Sequence, residues 1–158
     1  MLIPVIHIQL AVRASVAAVL SLAIAQFFGL QFPIYAAVAA IIVTDLSPAE
    51  TTLLGWRRMV ASAIGAFTGA ILTMVLPQSV WTVGLGILVA MLLCHFFRVS
   101  EVFRIAGYTS AIVILSRGID PWHLAFERLL ETALGIAVAW IISCVPKLLR
   151  SPPKDQPQ

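Results

Sequence analysis

Two arginines set within apolar sequence are the residues of this chain best placed to do chemistry. Arg58 is followed by Ser62, Gly65 and Gly69, and Arg128 by Thr132, Gly135 and Ala139, at spacings of four, three and four in both cases. Those spacings put each set on one helical face. A guanidinium carries fixed positive charge and a planar fork of donors that matches a carboxylate, so the chemistry indicated is recognition of an anion. Charged side chains within membrane helices are costly and usually face a protein interior or a wet cavity. The competing account is that arginine snorkels to lipid headgroups, which is easiest for Arg57 beside Arg58. Glu131 follows Arg128 by three residues and Glu127 precedes it by one, so Glu131 can pair with Arg128 along one face. Such a pair is either structural neutralisation or a titratable latch for which a passing anion competes, and spacing does not choose between them.

Bond-making chemistry has no starting point. The sequence holds no Walker loop, no Gly-x-Ser-x-Gly, no His-Glu-x-x-His and no Cys-x-x-Cys, and His7, His95 and His123 are scattered. The expectation is a non-enzyme without metal or cofactor. Cys94 and Cys144 lack metal-type spacing and read as small buried apolar residues. The pI near 9.3 comes without a basic stripe or nucleic-acid motif, so no nucleic-acid partner is expected.

The elements that must position these side chains are membrane helices. With 61% hydrophobic and 11% charged residues and a mean hydropathy of +1.02, the chain departs from soluble domains, in which charged residues are roughly a quarter. Six apolar stretches run from about Ala14 to Leu30, Phe32 to Leu46, Met59 to Leu76, Val80 to Phe97, Val102 to Leu115 and Leu129 to Val145. Spanning a ~30 Å hydrocarbon core takes ~20 helical residues, so the second and fifth fall short. A matched pair of short spans points to a substrate site; it is also what upright spans in a thinned bilayer look like. Ser47-Pro48-Ala49-Glu50 predicts a helix start with a capping hydroxyl and proline at the first position, and Asp120-Pro121 another with a capping carboxylate. Arg58 and Arg128 would then lie ~15 and ~10 Å inside their helices.

The two halves echo one another. Trp56 to Gly65 returns seventy positions on as Phe126 to Gly135, and Ala25-Gln26-Phe27-Phe28 returns as Cys94-His95-Phe96-Phe97. A unit of three spans used twice must insert in opposite orientations, which predicts an all-helical fold of two inverted three-helix repeats, at about 10–76 and 80–146. These make one six-span domain over 1–150, followed by a short disordered tail at 151–158. The faces of Gly65 and Gly69 and of Gly135 and Ala139 would let the third and sixth helices cross closely at the centre. With the amino terminus cytoplasmic, Arg13, Arg57, Arg58, Arg98, Arg104, Lys147, Arg150 and Lys154 lie inside, against Arg117 and Arg128 outside. Both termini are therefore expected in the cytoplasm. Trp81 and Trp122 would mark the outer interface and Trp56 the inner one, with Trp140 packed within.

The segment from Glu127 to Ala139 resembles the last-span signature of the aromatic acid exporter family, within the wider fusaric acid resistance superfamily. Arg58-x-x-Ala61-Ser62-x-x-Gly65-x-x-x-Gly69 resembles that family's Arg-x-x-Gly-Thr-x-x-Gly pattern, with Ala61 and Ser62 in place of the glycine and threonine. The first hairpin, Ala25 to Leu30 and Pro33 to Ile41, is similar too, so the resemblance runs from about Arg13 to Val145. It implies a six-span domain for efflux of aromatic carboxylates and related organic anions, with plant malate channels, which work as dimers, as distant relatives. Family members often carry a cytoplasmic carboxyl-terminal domain, and this sequence ends eight residues after Arg150, which suggests a minimal unit or one with a partner.

The expectation is thus a multi-pass protein of the inner (plasma) membrane, surrounded by the lipid bilayer and forming a homo-oligomer, a dimer foremost, that moves small organic anions. Arg58 and Arg128, with Ser62 and Thr132, would line the path; Glu131 and Glu127 would modulate it; the glycine faces would form its seam. The alternatives are a structural or assembly protein, and a non-transporting subunit of an envelope efflux complex.

Overall fold

A computed structural model describes residues 3–45, 47–97, 102–116, 118 and 120–145, with side chains from residue 8 onward. The expected tail, and Arg98, Arg117, Lys147, Arg150 and Lys154, lie outside the described residues. Six helices make up the described structure: α1 (Ile3–Phe27), α2 (Ile34–Val43), α3 (Pro48–Val75), α4 (Val80–Phe96), α5 (Phe103–Leu115) and α6 (Pro121–Ser143). Helix α1 begins well before the first apolar stretch read from the sequence, so the residues from Ile3 to Arg13 belong to it.

Local chemistry sets the ends. The chain leaves α1 at Gly29, whose φ of 67° suits glycine, with Leu30 N–H on Ala25 O and Gly29 N–H on Gln26 O, the pairing of a Schellman motif. Helices α3 and α6 begin at their prolines as expected, and Asp120 accepts from Trp122 N–H. Ser47, however, makes no side-chain cap. Instead the Asp45 carboxylate takes the Ser47 N–H at 3.3 Å, and proline at the next position has no N–H to satisfy.

Two helices are long and apolar enough to cross a membrane on their own, within Ile8–Phe27 and Pro48–Val75. Helices α2, α4 and α5 are apolar but shorter. In α6, Glu127, Arg128 and Glu131 interrupt the apolar run. Burial is inverted relative to a water-soluble bundle. The interior is mostly small, with Ala17, Ala36, Ala40, Ala61, Ala66, Ala70, Ala106 and Ala139 buried, while Phe27, Val80, Trp81 and Phe96 are almost fully exposed. Close backbone packing inside with a large apolar exterior suits a lipid surround, where bulky side chains lose nothing by facing outward.

The long helices α3 and α6 run antiparallel against each other, with Thr51 near the start of α3 bonded to Ser143 at the end of α6, 2.8 Å between hydroxyl oxygens. Ser143 also donates to Asp45 O, and Asp45 N–H donates to Thr51, so the α2–α3 connection is tied to the end of α6. Each short helix lies across the long helix of the other half, α5 on α3 and α2 on α6; α4 covers α3 and α5, and α1 covers α6 and α2. Exchanging the halves leaves this pairing unchanged.

The glycine faces correct one expectation. They do not meet each other. A methyl group at Gly65 would collide with Ala106 O of α5, and one at Gly69 would sit 2.9 Å from Ser110 O, also on α5. At Gly135 it would collide with Ala36 O of α2 and come within 2.6 Å of Ala39 Cβ, and Ala139 packs in one cluster with Ala40 and Val43. The small residues serve the crossing of each long helix with the opposite short one. The α3–α6 contact uses other positions, among them Gly55 against Ile136 and Ala66 and Ala70 near Leu124 and Ala125. The partners on the short helices, Ala36, Ala39, Ala40 and Val43, are each seventy positions before Ala106, Thr109, Ser110 and Val113, so the contacts repeat at the offset of the sequence.

Candidate anion site

Both arginines are buried, Arg58 at 2% and Arg128 at 3% exposure, which removes snorkelling as an account of either. Each reaches an aromatic residue on the short helix crossing its own. Arg58 Nη2 donates to the Tyr108 hydroxyl at 2.9 Å. The guanidinium carbon of Arg128 stands 3.6 Å from the centre of the Tyr35 ring and 4.7 Å from that of Phe32, two rings set edge to face at 6.3 Å. Aromatic faces hold a guanidinium by cation–π attraction while leaving its in-plane donors free. Those donors are in part unused: Arg58 Nε and Nη1 and Arg128 Nε and Nη2 are buried without hydrogen-bond partners among the described residues. Tyr108 lies in the electrostatic surroundings of both arginines, which brings the two halves of the site to one centre.

Glu131 has no exposed surface and pairs with Arg128 as its spacing predicts, Oε2 to Nη1 at 3.1 Å. The pair is close but is not aligned as a hydrogen bond. The other carboxylate oxygen accepts the Phe32 N–H at 3.1 Å. Glu131 is ~15 Å along α6 from Pro121, so the α1–α2 connection reaches well into the bundle to meet it. Backbone that is not helical at such depth needs an internal partner, and Glu131 supplies one. Glu127 is buried too, with Oε1 3.7 Å from His123 Nδ1. Ser62 and Thr132 are buried one turn beyond their arginines.

The structure therefore gathers Arg58, Arg128, Glu131 and Glu127 in one region and places the glycines behind them, in the helix crossings. Sequence reasoning missed Tyr35, Tyr108 and Phe32. A signal existed: the chain has two tyrosines, and they fall one on each short helix. They are not at matching repeat positions, since Tyr108 is seventy-three after Tyr35, so each arginine finds its ring from a different turn. Trp140 and Cys144, expected inside, are both exposed. Trp140 joins Trp56, Gly55 and Ala137 in lining an outward-facing apolar groove of about 620 Å³ between α3 and α6. That groove holds neither arginine, and the arginine centre is closed over.

An all-helical bundle with small residues within and large apolar residues without is that of a membrane protein. The chain belongs to the aromatic acid exporter family: the family described as aromatic acid exporter family member 1 matches residues 9–145. It is 25% identical over 133 residues to the UPF0421 protein YgaE of Bacillus subtilis (strain 168), covering 84% of this chain and 38% of that protein. It is 27% identical over 133 residues to an uncharacterized protein of Haemophilus influenzae, covering 82% of this chain and 18% of that one. The chain thus spans well under half the length of either relative. No solved structure matches it.

Proposed function

We propose that this chain is a six-span inner-membrane unit, built as two inverted three-helix repeats, that exports small organic anions, aromatic carboxylates foremost. The observation that carries the reading is the closed centre of two buried arginines, backed by aromatic rings, with guanidinium donors left unpaired. Unpaired buried donors are expensive, so a fold that keeps them has a use for them. A carboxylate matches two parallel donors of one guanidinium, and Tyr35, Phe32 and Tyr108 offer aromatic partners to a ring attached to it. The symmetric pairing of the helices, the antiparallel α3 and α6 and the contacts repeating at seventy support the inverted repeat. Short α2 and α5, matched across the halves and carrying the tyrosines, support a site at the midplane. Family membership supplies the class of substrate. The working unit is a homo-oligomer, a dimer foremost, with both termini in the cytoplasm.

Reconstituted protein in liposomes, offered benzoate, malate and chloride, tests the reading. Benzoate flux above that of protein-free vesicles, reduced in Arg58→Gln and Arg128→Gln variants of unchanged oligomer mass, is expected. Equal flux of benzoate through the wild type and the Arg58→Gln/Arg128→Gln double variant would leave the arginines a purely structural role, and wild-type flux no greater than that of protein-free vesicles would leave an assembly protein rather than a transporter.

A further inference from the structure

His123, Glu127 and Glu131 stand at i, i+4 and i+8 on α6, on one face and ~12 Å from end to end. Their exposure falls in step: the side chains are 57% exposed at His123 and 11% at Glu127, and Glu131 is fully buried. His123 Nδ1 is 3.7 Å from Glu127 Oε1, Glu127 lies within electrostatic range of Glu131, and Glu131 meets Arg128. Glu127 Oε2 is buried and has no hydrogen-bond partner among the described residues. The column leads from the accessible amino-terminal end of α6 to the arginine centre.

The first half has no such column. The residues seventy positions earlier are Leu53, Arg57 and Ala61. Yet Arg58 is as deeply buried as Arg128, with the Tyr108 hydroxyl as its described partner and no carboxylate beside it among the described residues. Burying an arginine in this scaffold does not demand a carboxylate. Glu131 is therefore more than a counter-charge.

We propose that Glu131 is a proton-operated switch on the anion site, an inference that rests on the anion-binding reading above. Without its proton Glu131 occupies Arg128; with a proton delivered through His123 and Glu127 it releases Arg128 to a carboxylate ligand. An imidazolium at His123 gives its Nδ1 proton to Glu127, Glu127 gives it to Glu131, and His123 regains a proton from water. One proton gained by Glu131 offsets one negative charge brought by a monocarboxylate, so the centre carries the same net charge in both states. A buried centre tolerates little uncompensated charge, so proton and anion bind together, and each strengthens the other by the same factor.

The surroundings leave Glu131 as the group that switches. On α6 it faces Arg128 and Glu127. From α2 comes Tyr35, against the far side of Arg128, and from α5 Tyr108, with Arg58 of α3 bonded to it. The α1–α2 connection contributes the Phe32 N–H, and the described charge of α1, Arg13, is at the opposite end of α6, on Val145 O.

The test uses the full chain in nanodiscs with benzoate as probe, titrated by calorimetry in buffers of differing ionisation heat. The wild type should take up as much as one proton per benzoate and bind about tenfold more tightly for each pH unit lowered, until Glu131 is fully protonated. E131Q should bind as tightly as the wild type does at low pH, without proton uptake. H123A, at the exposed end of the column, should keep that equilibrium and slow only the response to a pH jump. Benzoate bound by the wild type without proton uptake, or uptake undiminished in E131Q, overturns the switch. Acid-minus-neutral infrared difference spectra need no ligand: a carboxyl C=O band lost in E131Q is expected. With that band present and no benzoate bound, the anion reading fails while the proton site stands; with no band assignable to Glu131, the switch is overturned whatever benzoate does.

Discussion

Arg128 is held by two kinds of partner, rings that leave its donors free and a carboxylate paired with it by charge at 3.1 Å, and substitutions separate them. Replacing Tyr35 by phenylalanine keeps a ring face over the guanidinium, and replacing it by leucine does not. Tyr35→Leu should therefore lower stability by ~1–2 kcal/mol relative to Tyr35→Phe, read from thermal unfolding in detergent. The charge itself is expected to matter for flux. Lysine offers a carboxylate a point charge where arginine offers two parallel bonds, so Arg58→Lys and Arg128→Lys should keep part of the benzoate flux and the glutamine variants less. A charged hydrogen bond is worth ~1.5–3 kcal/mol, which sets the loss at roughly ten- to a hundredfold in apparent affinity. Arg128→Gln also strands Glu131 beside no cation, a change that costs ~3–5 kcal/mol when one member of a buried pair is removed. Arg128→Gln with Glu131→Gln should recover that stability without recovering flux. A double variant no more stable than Arg128→Gln alone would show that the pair does not carry the burial of Glu131.

At the scale of elements, the crossings of α3 with α5 and of α6 with α2 set the geometry of the site, because each brings a tyrosine-bearing short helix onto an arginine-bearing long one. Gly65 and Gly135 sit against backbone at those crossings, where neither partner can swing aside. Leucine at either position should lower stability by ~1–3 kcal/mol or more. Gly84 on α4 has open space around it, and Gly84→Leu should be neutral or slightly stabilising through helix propensity. Melting temperatures of the three variants check this, and equal tolerance at all three would remove the close crossings. Much of this was legible beforehand. Prolines 48 and 121 announced the two long helices, and the small-residue spacing announced that their faces pack. What those faces pack against was not legible, since a face of glycines says that a backbone comes close but not whose. The aromatic half of the site was hidden for a similar reason: Tyr35 and Tyr108 break the repeat register, and only the crossing shows that each reaches an arginine.

For the molecule as a whole, burial of the arginines sharpens the topology instead of weakening it. Arg58 and Arg128 lie inside the bundle and cannot be read by the positive-inside rule, which concerns residues in loops and near span ends. Without them, seven lysines and arginines remain on the side assigned to the cytoplasm, and Arg117 alone on the other. The ties between Thr51 and Ser143 and between Arg13 and Val145 O bring the first half of α1 and the start of α3 to the end of α6, so the proposed topology puts all three toward one side of the membrane. In a background with Cys94 and Cys144 replaced by alanine, single cysteines at positions 3 and 156 should be shielded from an impermeant thiol reagent in intact cells, and one at position 78, between α3 and α4, should label. Labelling at 3 and 156 with protection at 78 would reverse the orientation while leaving the bundle intact. It would also turn the accessible end of the His123, Glu127 and Glu131 column toward the cytoplasm, so the same experiment decides from which compartment protons reach Arg128. Labelling at 3 but not at 156 would demand an odd number of crossings and would overturn the proposed six-span topology.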